Sequence, residues 1–232
     1  MTEFALKVLL SYLLGSIVGS LLVGRLRGGV DIRRLGSGNA GGTNALRTQG
    51  KAFAFWVLLI DIGKGWIATR VLAPLAVPGP SPGGGAGSAG AHGPLMAAAQ
   101  AHHWLAAACG IAVMLGHIYP LWHGFRGGKG VATLVGAVSG LDPWLLAPMV
   151  VTWLLAVVLF GFVGLASMLG AAALAVAAVI GTWQPRAALL SFGVLTAALI
   201  AVTHRSNIAR MRAGTEPRAR RLWLLGLRRG RV

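Results

Sequence analysis

The sequence predicts an all-α, polytopic membrane helical bundle of about seven transmembrane helices, with its N-terminus outside and its C-terminus in the cytoplasm. Three observations predict it. Hydrophobic residues make up 56% of the 232-residue chain and charged residues 11%, with a mean hydropathy of +0.72, whereas a soluble domain carries about a quarter charged residues. Apolar runs long enough to cross a bilayer as helices recur along the chain. Most of the 21 Lys and Arg residues fall in alternate joints between those runs.

The spans are expected at roughly 4 to 24, 53 to 76, 97 to 121, 143 to 162, 164 to 183 and 186 to 204. A shorter helix near 130 to 141 completes the seven, and the topology depends on it. The first span resembles a signal peptide in hydrophobicity but lacks a basic leader and an Ala-x-Ala cleavage site, so it is expected to be retained. Residues 78 to 93 form a Gly/Pro-rich outer loop with nothing to pack. Asp142-Pro143, Gly161 with Gly164, and Gln184-Pro185 punctuate the later spans. Residues 1 to 216 read as one membrane domain. The tail from 217 to 232 alternates arginines with Leu222, Trp223, Leu224, Leu225 and Leu227, as a basic amphipathic segment on an anionic leaflet or a disordered end would.

Charge sets the orientation. Arg25, Arg27, Arg33, Arg34, Arg47 and Lys51 follow the first span, Arg126 and Lys129 the third, and nine arginines the last. The intervening joints carry almost no positive charge, so the basic ones are placed in the cytoplasm. A net charge of +16 suits lipid headgroups or phosphorylated substrates. Nucleic acid is not expected as a partner, because the basic residues are spread between spans and not interleaved with exposed aromatics. Cys109, the single cysteine, excludes an intramolecular disulfide and lies in an apolar run, where packing is its expected role. Adjacent His102 and His103 have no carboxylate or thiol nearby, and no metal site is expected.

Three polar stretches interrupt this apolar chain, and the topology gathers them on the cytoplasmic face. The first is Gly36-Ser37-Gly38-Asn39-Ala40-Gly41-Gly42-Thr43-Asn44, followed by Arg47. Its glycines allow a concave nest of backbone N–H groups, a helix starting near Thr43 adds its dipole, and Arg47 offers a planar fork for phosphate. A flexible connector would account for the glycines but not for the dense hydroxyl, amide and guanidinium groups. The second stretch is Gly116-His117-Ile118-Tyr119-Pro120 with Arg126-Gly127-Gly128-Lys129-Gly130-Val131-Ala132-Thr133. It lacks the spacing of a nucleotide-binding P-loop, and leaves a glycine turn at a helix start with Lys129 as a point charge. His117 reads equally as an interfacial hydrogen-bonding residue or a catalytic one. The third stretch runs from His204 to Glu216, and at helical spacing His204, Asn207 and Arg210 share a face. Within the second span Asp61 and Lys64 stand one turn apart. Mutual neutralisation is their expected role, with support of Arg47 as the alternative.

Together these stretches resemble the PlsY family, the bacterial integral-membrane acyl-phosphate:glycerol-3-phosphate acyltransferases. The GSGNxGxTN loop with its arginine reads as Gly36 to Asn44 and Arg47, GHxFP and KGGKGVAT as Gly116 to Pro120 and Arg126 to Thr133, and HRxNIxRLxxGxE as His204 to Glu216. Asp61 to Gly65 is similar to the family's DxxKG segment. Tyr119, Arg126 and Met211 are mild departures; the turn between the fifth and sixth spans keeps only Ser167 as a polar residue, and the outer loop and tail have no counterpart.

The resemblance implies transfer of a fatty acyl group from acyl phosphate to the 1-hydroxyl of glycerol 3-phosphate at the cytoplasmic face of the bacterial inner membrane, giving lysophosphatidic acid and inorganic phosphate, without a cofactor. An activated mixed anhydride requires the protein chiefly to hold two anions together and to stabilise developing charge. Arg47, Lys129 and His204 are then expected to grip the glycerol phosphate with Arg205 or Arg210 in support, while Ser37, Gly38, Gly41 and Asn207 cradle the acyl phosphate. Gly36, Asn39, Thr43, Asn44, His117, Gly127, Gly128, Gly130, Ser167 and Glu216 complete the expected binding set. Ser37 is expected to bind and not to be acylated, since no His and carboxylate pair adjoins it. His117, Glu216 and the donor's own phosphate are the candidate bases. Membrane lipids and a soluble enzyme supplying the donor are the expected partners. A transporter for phosphorylated anions is the competing class, and it predicts a midplane site with internal repeats.

Overall fold

In a computed structural model, the described residues are 2–75, 92–181, 186–219 and 222–223, with 92–100 and 186 described by their backbone alone. They form ten α-helices and no strand: α1 (Thr2–Gly15), α2 (Gly19–Leu26), α3 (Gly42–Gln49), α4 (Lys51–Ile67), α5 (His92–Ile118), α6 (Val131–Leu141), α7 (Leu146–Phe160), α8 (Val163–Ile180), α9 (Arg186–Thr203) and α10 (Arg205–Arg212). The expected apolar spans all appear as helices near their expected places, but two are broken. α1 and α2 form one bent span with a 47° break, and α9 and α10 bend by 55° at His204. The Gly/Pro-rich outer loop falls almost wholly outside the described residues, as do Gln184-Pro185 and the tail from 224 onward.

Four straight segments are long and apolar enough to cross a membrane: Lys51–Leu72, Ala101–His123, Pro143–Phe160 and Val163–Ile180. The bent pairs raise that count to six. α6 has 11 residues, a length of about 16 Å at 1.5 Å per residue. That is short of the roughly 30 Å hydrocarbon core, so as a helix it does not cross by itself.

Lipid gives apolar side chains no gain on leaving it, so helices associate through close van der Waals contact. Small residues make that contact possible here. Gly15 in α1 and Gly116 in α5 face the partner backbone so closely that a Cβ on either would strike it, and Gly65 and Gly136 do the same between α4 and α6. Around these seams Met114, Leu134, Val138, Leu145, Leu174, Phe192 and Ile200 form the main buried cluster. Leu59, Val151, Leu155, Val176 and Val179 stay exposed, as suits a surface facing acyl chains.

The break between α1 and α2 frees backbone groups where no water reaches, a cost of several kcal/mol each unless they are paired. Asp61 and Lys64 pair them. Lys64 Nζ donates to Gly15 O at 2.9 Å and Ile17 O at 2.8 Å, and Gly19 N donates to Asp61 Oδ1 at 3.0 Å. The two side chains also form an ion pair at 3.0 Å, both almost wholly buried. The expected neutralisation is therefore present, together with a scaffold role, and Arg47 makes no contact with either residue.

Candidate active site

A single cavity of about 1100 Å³ opens among the three polar stretches. Its polar end is built from the loop before α3, the starts of α3, α6 and α8, and the break between α9 and α10. Gly42, Thr43, Gly130, Val131, Val163 and Gly164 line it, so three helix N-termini bring their free N–H groups and dipoles to one space. Apolar side chains line it too, among them Phe55, Leu58, Val135, Met149, Val150 and Trp153.

Asn44 makes the first loop. The side chain is 1% exposed, its Oδ1 accepts from Ser37 N at 2.9 Å, and its Nδ2 stands 3.0 Å from each of Ile32 O, Leu35 O and Asn39 O. Gly36 and Gly38 take positive φ of 58° and 72°, and a Cβ on Gly36 would collide with the Asn44 amide. The loop is therefore wound around one buried amide. Ser37, Asn39, Thr43 and Arg47 face the cavity from it. Neither the Arg47 guanidinium nor the Ser37 hydroxyl bonds to any described residue, so both are available to a ligand. Asp31, held below the usual carboxylate range by its hydrogen bond from Arg33, fixes that arginine, which donates in turn to His123 O at 3.2 Å and Arg126 O at 2.8 Å. The first two polar stretches are thereby tied together.

The third stretch joins the second through Lys129. Its ammonium donates to Asn207 Oδ1, Asn207 Nδ2 donates to Glu216 Oε1 at 2.6 Å, and Arg210 Nε donates to Glu216 Oε2 at 2.6 Å. Thr203 Oγ1 also donates to Lys129 O at 3.1 Å. Burial pushes the Lys129 ammonium down to about 8; the nearby Arg210 charge acts in the same direction and Glu216 opposes them. Gly164 leaves room for Asn207, whose side chain a Cβ there would strike. His204 is 4% exposed and its Nδ1 stands 2.8 Å from Ile200 O. A carbonyl only accepts, so Nδ1 carries the hydrogen in this assignment.

Most of the expected site residues line this cavity: Gly36, Ser37, Asn39, Gly41, Thr43, Asn44, Arg47, His117, Lys129, Gly130, Ser167, His204, Asn207, Arg210 and Glu216. Gly38, Gly127, Gly128 and Arg205 do not. Gly127 and Gly128 pack against His117, where their N–H groups bond Ile118 O and His117 O, and a Cβ on either would collide with that histidine. Arg205 is exposed, turned back toward Val202 O at 3.4 Å. His117 itself is 2% exposed, with Lys64 Nζ 2.8 Å and Asp61 Oδ1 3.3 Å from its Nδ1. Ser167, 6% exposed, donates to Val163 O at 2.9 Å. Sequence reasoning missed Lys51, which also lines the cavity. It missed the organising role of Asn44 as well, whose side chain bonds four backbone groups of the preceding twelve residues, an arrangement that residue types alone do not announce.

The sequence profile described as glycerol-3-phosphate acyltransferase matches residues 5–214. A glycerol-3-phosphate acyltransferase of Bordetella pertussis is 39% identical over 217 residues, covering 91% of this chain and 89% of its own. Those of Coxiella burnetii and Halalkalibacterium halodurans are 34% and 39% identical, covering 94% and 91% of this chain and 98% and 93% of theirs. Among solved structures, the glycerol 3-phosphate form of PlsY, an integral membrane glycerol 3-phosphate acyltransferase, superposes with a TM-score of 0.73 at 30% identity, covering 93% of this chain and 94% of that one. The lysophosphatidic acid form gives 0.72 at 32% identity. With the first two polar stretches and all but the last two residues of the third inside the matched region, and all three converging on one cavity, the chain belongs to the glycerol-3-phosphate acyltransferase family of integral-membrane proteins.

Proposed function

We propose that this protein transfers the acyl group of a fatty acyl phosphate to the 1-hydroxyl of glycerol 3-phosphate, releasing lysophosphatidic acid and inorganic phosphate. One observation carries the reading. One cavity of about 1100 Å³ is lined both by cationic and amide groups, with Arg47, Lys129, His204, Asn207 and Arg210, and by apolar side chains, with Phe55, Leu58, Val135, Met149 and Trp153. A phosphate-only ligand has no use for the second half, and a simple lipid has none for the first.

In this reading Arg47 and Lys129 hold the glycerol phosphate, with His204 beside them. The loop wound on Asn44 presents Ser37 and its N–H groups to the donor's phosphate, whose chain lies against Phe55, Leu58 and Val135. The hydroxyl oxygen attacks the acyl carbon, the bond from that carbon to the phosphate oxygen breaks, and the hydroxyl proton passes to the departing phosphate. Both Glu216 oxygens are engaged by Asn207 and Arg210, and His117 is enclosed in the Asp61 and Lys64 cluster. That leaves the donor phosphate as the base best placed to act. Ser37 acts as a hydrogen-bond donor, since no described residue accepts its proton to activate it.

The active site lies at the cytoplasmic face of the inner membrane, with the short α6 counted as the seventh pass. The soluble enzyme that makes acyl phosphate is the natural upstream partner. The test is direct. Purified protein given palmitoyl phosphate and glycerol 3-phosphate should release phosphate only when both are present. Anion flux in liposomes without such release would favour a transporter.

A further inference from the structure

Beyond the region that the family profile matches, which ends at residue 214, residues 217–219 and 222–223 double back onto the turn between α7 and α8. Ala219 N donates to Gly161 O at 2.8 Å, and Trp223 Nε1 donates to Leu159 O at 3.2 Å. Gly161 takes a φ of +77°, and a Cβ there would stand 2.9 Å from the Trp223 ring. This turn accepts the tryptophan because it is a glycine. Between the two aromatic groups lies Arg218, its guanidinium carbon 4.0 Å from the centre of the Trp223 ring and 4.6 Å from that of Phe162.

A guanidinium lying over aromatic faces keeps its charge and its N–H edges free for an anion. No carboxylate among the described residues pairs with Arg218. Pro217, Arg218, Ala219 and Leu222 all line the cavity, where they stand beside Val163, Gly164 and Ser167 of α8. The α7–α8 turn is apolar, Phe160-Gly161-Phe162, so without this segment that wall would present no charge at the mouth.

Resting on the reaction proposed above, we propose that this segment is a strap completing the acyl side of the cavity. Arg218 binds the phosphate of a long-chain amphipathic phosphate, and Leu222 lies along its chain. A cation next to an apolar residue on one short segment matches a ligand that is anionic at one end and alkyl at the other. Glycerol 3-phosphate, polar throughout, gains nothing from Leu222. Acyl phosphate and lysophosphatidic acid both fit the description, and the measurements distinguish them.

The experiment uses full-length Arg218→Gln, Arg218→Lys and Trp223→Ala proteins in detergent. Steady-state kinetics gives the KM of each substrate, and calorimetry gives direct binding of lysophosphatidic acid, which needs no turnover. Arg218→Gln should raise the KM for palmitoyl phosphate about tenfold, the scale of one lost charge-assisted contact, and leave that for glycerol 3-phosphate within about twofold. Arg218→Lys should recover part of the loss, and Trp223→Ala, which removes the ring beneath Arg218 together with the bond to Leu159 O, should shift the donor KM in the same direction. Weaker lysophosphatidic acid binding in Arg218→Gln assigns the strap to donor and product, and unchanged binding with a raised donor KM assigns it to the donor. Unchanged donor KM with unchanged lysophosphatidic acid binding overturns the strap, as does an equal rise in both KM values. Absence of turnover in the unaltered protein overturns the reaction instead, and the binding comparison still decides the strap.

Discussion

Arg47 and Asn44 occupy the same eight-residue helix and do opposite things. Arg47 lines the cavity with no hydrogen-bond partner for its guanidinium among the described residues, and Asn44 is buried with both side-chain polar atoms in use. A planar fork on a phosphate is not replaced by a point charge, so Arg47→Lys should lower kcat/KM for glycerol 3-phosphate by about 10- to 100-fold, the equivalent of about 1.5–3 kcal/mol for a charged hydrogen bond. Initial rates against glycerol 3-phosphate concentration check it, and an unchanged kcat/KM would remove Arg47 from the phosphate site. Lys129 gives a pH signature. Its ammonium, pushed down to about 8 by burial, is the form that binds an anion, so substrate affinity is full below that pH and falls as pH rises through it. The KM for glycerol 3-phosphate should climb above about pH 8 in the native protein, and Lys129→Arg, always charged, should flatten that rise. Residue types and spacing in the sequence already pointed to Arg47, Lys129 and His204, because glycines beside cations at helix starts leave a readable pattern. They did not separate ligand-facing from scaffold residues. Gly127 and Gly128 belong to the same motifs as the residues that face the cavity, and Asn44 both lines it and ties its loop, and only the packing and hydrogen bonds of the folded chain reveal their work.

The broken first span shows how a buried charge cluster at the wall of the cavity holds the site. Asp61 and Lys64 satisfy Gly15 O, Ile17 O and Gly19 N at the break and enclose His117, against which the Gly127-Gly128 turn before Lys129 is packed. Asp61→Asn leaves a buried ammonium without its countercharge, at a cost of about 3–5 kcal/mol. It should lower the thermal midpoint in detergent, whereas the paired Asp61→Asn with Lys64→Met should recover less than full stability, because the freed carbonyls lose their donor. Full recovery would show that charge balance alone matters. The spans were legible because their hydrophobicity is continuous over 18 residues or more. The break at residues 16–18 was not, since Ser16 and Gly19 sit inside an apolar run whose composition a straight helix would share. The bend at His204 was likewise hidden, although it is what turns Asn207 toward Lys129.

For the whole molecule, the apolar surface, the cavity and the gathering of three distant stretches make one arrangement. The proposed orientation rests on the charge distribution along the chain, and the cavity with its three helix N-termini supports a one-face site. The short α6 is where sequence and helix length diverge, because its 11 residues fall short of a bilayer and the segment before it folds back onto the end of α5 through Gly127 and Gly128. The proposed orientation predicts that, in a Cys109→Ala background, Trp144→Cys in intact cells reacts with an impermeant maleimide, while Arg212→Cys reacts only after the membrane is opened. Reversed labelling would invert the topology and move the site to the outer face. The most direct test of the central claim is the stoichiometry of the purified protein supplied with palmitoyl phosphate and radiolabelled glycerol 3-phosphate. One lysophosphatidic acid should form for each phosphate released, with neither product when either substrate is withheld. Phosphate release without glycerol 3-phosphate, or lysophosphatidic acid formed from an acyl thioester and not from acyl phosphate, would contradict it.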